Sequence, residues 1–87
     1  MITGTTRSGF EFKVAEDITN DMELFEALCD LDAGIATATV PVCRKVLGSQ
    51  KAALYDHLRD ENGRVPVDKV ADEIADILNA VKDGKKS

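Results

Sequence analysis

Val67, Val70, Ala71, Ile74, Ile77, Leu78 and Val81 fall at the i, i+3, i+4, i+7 spacing of one helix face, held over the last long segment of the chain. Asp68, Lys69, Asp72, Glu73, Asp76 and Lys82 occupy the positions between, so the opposite face belongs in water. Pro66 stands where a helix tolerates proline best, because an N–H there has no intrahelical partner anyway. Gly84, followed by Lys85 and Lys86, marks a stop. The spacing predicts a helix over about 67–82 with a flexible tail over 83–87. A helix this one-sided must bury its stripe, and Ile74 and Leu78 are expected at its centre.

The rest of the chain has to supply what that stripe packs against. Phe10, Phe12 and Val14 alternate with Glu11 and Lys13, the period of a half-buried strand, and Ser8-Gly9 offers a turn. Residues 2–14 therefore read as a β-hairpin. Asn20 with Glu23 three residues later reads as a capping box for a helix over about 21–32. Its inner face is expected to carry Met22, Phe25, Leu28 and Cys29, widened by Leu24 and Leu31, and Asp32-Ala33-Gly34 ends it. Ile35 to Thr39 reads as a linker holding one extended or helical turn, and Pro41 opens a short helix over about 42–47. Gly48 closes that helix and Ser49 caps the next, over about 50–60. The expected fold is α+β, an N-terminal hairpin followed by about four helices, mostly helical, in a single domain over 1–87.

Size and charge limit the function classes. A chain of 87 residues buries roughly 60–65 % of its unfolded surface, so sharing surface between copies is a common source of added stability. The aromatic set is Phe10, Phe12, Phe25 and Tyr55, so the core must be mostly aliphatic. Sixteen acidic residues against eleven basic ones give a net charge of −5. Such a surface is repelled by phosphate backbones and anionic membranes, and no cluster of Lys and Arg offsets it. Neither a nucleic-acid nor a membrane partner is expected. The first residues, Met1 to Thr5, lack the basic and apolar regions of a secretory leader. Cys29 and Cys43 stand among apolar neighbours and read as buried free thiols of a reducing compartment.

No residue pattern announces catalysis, a cofactor or a metal. Asp60-Glu61-Asn62-Gly63-Arg64 overlaps the middle of an EF-hand loop, but the first ligand position falls on Leu58 and the last on Lys69. Calcium needs an acidic oxygen at the one and a bidentate Glu at the other, so the stretch reads as a polar turn. Asp30 to Gly34 fails similarly, with Pro41 at the last position. His57 is the sole histidine, and one His with two distant Cys is no zinc set. It reads as a partly exposed surface residue. The carboxylates of the helices form either a solvated face or an acidic docking surface.

Several stretches together carry a resemblance. They are Ser8-Gly9-Phe10-Glu11-Phe12, then Glu23-Leu24-Phe25-Glu26-Ala27-Leu28, then Pro41 through Leu47-Gly48, and most specifically His57-Leu58-Arg59-Asp60-Glu61-Asn62-Gly63-Arg64-Val65-Pro66-Val67. Over nearly its whole length the chain resembles the small tail assembly chaperones of long-tailed bacteriophages and prophages of Gram-positive bacteria. The resemblance implies a non-catalytic protein of the host bacterial cytoplasm. It would bind the tape measure protein, keep its helical segments soluble, and help bring tail tube protein onto it. Weak homo-oligomers fit the same picture, since many copies coat one tape measure chain. The binding surface is expected among apolar side chains left over by the core: Phe10 and Phe12 on the hairpin, Met22 and Phe25 on the first helix, or Val70, Ile74 and Ile77 of the last stripe. A second reading stands beside it, a small acidic regulatory protein, antirepressor or nucleic-acid mimic, that occupies a basic partner.

Overall fold

The computed structural model describes residues 1–83. Strands β1 (Ile2–Thr5) and β2 (Glu11–Val14) pair antiparallel, with Ile2 opposite Val14, Gly4 opposite Phe12 and Thr5 opposite Glu11. The loop Arg7-Ser8-Gly9 is closed by Gly9 N–H donating to Thr6 O (2.9 Å) and Thr6 N–H donating to Phe10 O (2.9 Å). This is the three-residue hairpin loop that ends in a left-handed residue, and Gly9 supplies it at φ 93°. Gly4 has a packing role instead. A Cβ there would stand 2.9 Å from Cζ of Phe12, so the ring lies over bare backbone.

Helix α1 (Met22–Asp32) follows. Its cap is Asp21, not Asn20: Asp21 Oδ1 accepts from Glu23 N–H (2.9 Å) and Leu24 N–H (3.2 Å). The shift by one residue has a simple cause, since a carboxylate is the stronger acceptor for orphan N–H groups. Gly34 ends the helix with its N–H on Leu31 O and that of Ile35 on Asp30 O, a Schellman closure.

From Ala36 to Leu58 the chain is helical on either side of Gly48, which stands at φ 54° and ψ −120°. A 3-10 turn (Ala36–Ala38) runs into α2 (Thr39–Leu47), a second 3-10 turn (Gly48–Gln50) bends the path, and α3 (Lys51–Leu58) continues it. Three helical stretches therefore follow the hairpin, the middle one made of α2 and α3, rather than the four helices expected. Ala36–Ala38 form the single helical turn expected within 35–39, and α2 already begins at Thr39, with Pro41 tolerated in its first turn, where a missing N–H costs nothing. Gly48 closes α2 as expected, but Ser49 makes no side-chain cap for α3, which follows directly on the 3-10 turn. Arg59, extended at ψ 129°, ends α3 two residues earlier than expected.

Helix α4 (Val67–Asp83) matches its expected span. The tail expected over 83–87, with Gly84 as its stop, lies outside the described residues apart from Asp83. Among the described residues no helix is long and apolar enough to cross a membrane.

The core sits where α4 meets α2, α3 and the inner face of the hairpin. Leu54, Ile77, Val42 and Cys43 are fully buried, joined by Leu24, Val46, Leu47, Val70, Ile74, Phe12 and Val14. Ile74 is buried as expected, whereas Leu78 lies half-buried at the edge. Burying one such Leu or Ile side chain contributes about 1.5–3 kcal/mol.

The two edges of the hairpin differ. Gln50 turns its side-chain amide onto β2, accepting from Lys13 N–H (2.9 Å) and donating to Lys13 O (2.6 Å). It acts as one peptide unit of a third strand. By the alternation of an antiparallel ladder, Thr3 and Thr5 point their backbone groups away from β2. Among the described residues that edge is open.

Candidate functional site

The seven residues expected at a binding surface separate into two sets. Phe10, Phe12, Val70, Ile74 and Ile77 are all buried in this fold. The hairpin has one apolar face, and that face is needed to close the core over α4 and α2. Met22 and Phe25 are in solvent, with 66 % and 57 % of their surface exposed.

The exposure of Met22 and Phe25 corrects the expected orientation of α1. This helix is apolar on two sides. Leu24, Ala27, Leu28 and Leu31 form an unbroken i, i+3, i+4, i+7 stripe and face the core. Met22, Phe25 and Cys29, at i, i+3, i+7, face outward, so Cys29 is exposed and not buried as expected. Lys45 of α2 helps set this rotation by bridging Asp21 (3.2 Å) and Glu23 (2.7 Å). Asp21 is held below the usual carboxylate range, first by the Leu24 N–H it accepts and then by Lys45. Lys45 is pushed up by the same contacts, Glu23 first.

A second apolar feature lies across the molecule's helical half. Val40, Tyr55, Val65, Val67 and Val70, with Ala36, Thr37 and Thr39, line an open groove of about 400 Å³. Val40 and Val67 are exposed there. The sequence does not signal it, because a groove between two helical turns leaves no local pattern.

The polar side chains around the hairpin loop are occupied in holding it. Thr6 Oγ1–H donates to Glu73 Oε1 at 2.6 Å, with both residues buried, and Thr6 Oγ1 accepts from Phe10 N–H at 3.2 Å. Arg7 grips Asp76 through its guanidinium (2.7 and 3.0 Å) and its backbone N–H (3.0 Å). That grip holds Asp76 below the usual carboxylate range and pushes Arg7 up. His57 is exposed, as expected, and its Nε2 lies 3.0 Å from Ser8 O. The Ser8 hydroxyl lies 3.2 Å from the same nitrogen. The His57 ring also rests against Phe10.

The remaining candidates resolve similarly. Cys43 is buried beside Tyr55, and burial pushes its thiol up, the wrong direction for a nucleophile. Burial also pushes the Tyr55 phenol up, with Cys43 adding to it. In the 60–64 stretch, Asp60 Oδ1 accepts from Asn62 N–H (2.9 Å) and Arg64 N–H (3.0 Å), so the carboxylate is spent on its own turn. Among the described residues no group of three or more His, Cys, Asp or Glu is placed to hold a metal. The chain matches no family model, no curated protein and no solved structure.

Proposed function

We propose that this protein is a non-catalytic assembly chaperone of the kind made by long-tailed bacteriophages and prophages of Gram-positive bacteria. In the host bacterial cytoplasm it holds helical segments of the tape measure protein and assists tail tube protein in assembling on them. The observation that supports this reading is how the side chains are spent. His57, Glu73 and Asp76 are engaged in the hairpin loop and Cys43 in the core. Large apolar side chains, Met22, Phe25, Val40 and Val67, are left in solvent. A surface of that kind favours holding other apolar chains over performing a reaction. Weak self-association belongs to the same proposal, with the open edge of β1 as its route.

Co-expression with the protein encoded beside it tests the reading. A very long, helical, tape-measure-like protein should co-purify, and should stay dispersed only in the presence of this chain. Recovery of a basic DNA-binding protein in its place would refute the chaperone reading in favour of an acidic regulator.

A further inference from the structure

Helix α1 presents a second apolar face to solvent. At about 100° per residue, Met22, Phe25 and Cys29 cluster roughly 145° from the centre of the buried stripe. Single exposed apolar residues are ordinary, but these lie one above another along two turns.

The charge around that ridge is all of one sign. Glu26 and Asp30 run along one flank and Asp32 stands on the other, all exposed, and α1 contains no basic residue. Among the described residues the one cation paired with the helix, Lys45, is engaged by Asp21 and Glu23 at the N-terminal end. Glu26, Asp30 and Asp32 have no basic partner among the described residues. Asp30 and Asp32 also lie in the last turn, against the negative end of the helix dipole. Local rules are broken here without any gain inside the fold, which is the pattern of a surface awaiting a partner.

We infer that the outward face of α1 is the docking site for a cationic amphipathic helix of another protein. The partner's apolar stripe would lie on Met22 and Phe25, and its flanking Lys and Arg would answer Glu26, Asp30 and Asp32. A second copy of this chain does not fit, since facing two such ridges sets acid against acid. Anionic lipid is excluded on the same ground. Met22 suits the task, because a flexible thioether adapts to varied stripes. The inference deepens the chaperone reading, and rests on it for identifying the helix as a tape measure segment.

Synthetic peptides give the test. One probe is a labelled amphipathic helix with a Leu stripe flanked by Lys; a second carries Glu in place of Lys; a third keeps Lys and replaces Leu by Ser. Binding is followed by fluorescence anisotropy and by backbone amide shifts of the labelled full-length protein. The Leu/Lys peptide should bind, with shifts centred on 22–32, and the other two should not. Phe25→Ser should weaken binding about tenfold or more while leaving the thermal melt unchanged. Glu26→Lys with Asp30→Lys should reverse the preference toward the Leu/Glu peptide. Equal affinity for the Lys and Glu peptides, an unaltered affinity in Phe25→Ser, or shifts centred on the Val40–Val67 groove would overturn the inference. A tape measure fragment is titrated in parallel. If it binds parent and Phe25→Ser equally, the docking site is wrong and the chaperone reading stands. If the peptides behave as expected and the fragment does not bind, the chaperone reading fails and the site stands.

Discussion

Replacing Thr6 with valine removes one hydroxyl and keeps the shape of the side chain. Thr6 and Glu73 are 6 % and 4 % exposed, so water does not restore what is lost. The hydroxyl donates to Glu73 Oε1 at 2.6 Å and accepts from Phe10 N–H at 3.2 Å. A hydrogen bond to a charged group contributes about 1.5–3 kcal/mol, and leaving a buried acceptor unpaired carries its full desolvation cost. Together these set the expected destabilisation of Thr6→Val at about 2–4 kcal/mol. In a domain of this size that lowers the melting temperature by roughly 10–25 °C. Urea unfolding followed by far-UV circular dichroism measures it. Glu73→Gln should cost less, because an amide oxygen still accepts from Thr6. The double variant Thr6→Val with Glu73→Met should recover part of the loss, since the Glu73 acceptor goes with its donor while Phe10 N–H stays unpaired. A Thr6→Val protein within about 0.5 kcal/mol of the parent, or a double variant as unstable as the two singles added, would refute the reasoning.

Ile77→Ala, at a fully buried position, should cost about 2–4 kcal/mol by urea unfolding. Asp76 and Asp21 both have carboxyls held low in the folded state, so their contribution is fully present above the ordinary carboxylate pKa of about 4 and is lost as pH falls through the folded values. Urea midpoints should therefore drop in acid, and Asp76→Asn should flatten that drop. Thr3→Lys on the open β1 edge leaves the hairpin's own hydrogen bonds in place and should reduce self-association in sedimentation at high protein concentration.

The hairpin and α4 were legible in the sequence because each has one apolar face and one period: two for Phe10, Phe12 and Val14, 3.6 for Val67 to Val81. Helix α1 was legible as a helix but not in its rotation. Leu24-Ala27-Leu28-Leu31 and Met22-Phe25-Cys29 both obey helical spacing, and tertiary packing with the Lys45 bridge decides between them. That ambiguity is why two of the seven expected surface residues proved exposed while Phe10, Phe12, Val70, Ile74 and Ile77 went to the core. Gly48 was legible as the end of α2, whereas Pro41 suggested a helix start by local rule and sits instead in the permissive first turn of a helix that begins at Thr39. The Arg7–Asp76 and Thr6–Glu73 contacts span 69 and 67 residues, and nothing local in the chain signals them. Nor does it signal that Gln50 covers the edge of β2 or that Phe12 needs a glycine opposite.

The central claim is that this protein holds helices by apolar burial with acidic steering. It is tested most directly by the kinetics of binding to a tape measure fragment, measured by surface plasmon resonance across a salt series. Steering is screened by salt whereas apolar burial is not. The account predicts an association rate that falls as salt rises, a dissociation rate that changes little, and an affinity largely kept. Complete loss of binding at moderate salt would contradict it and point to a partner held by charge.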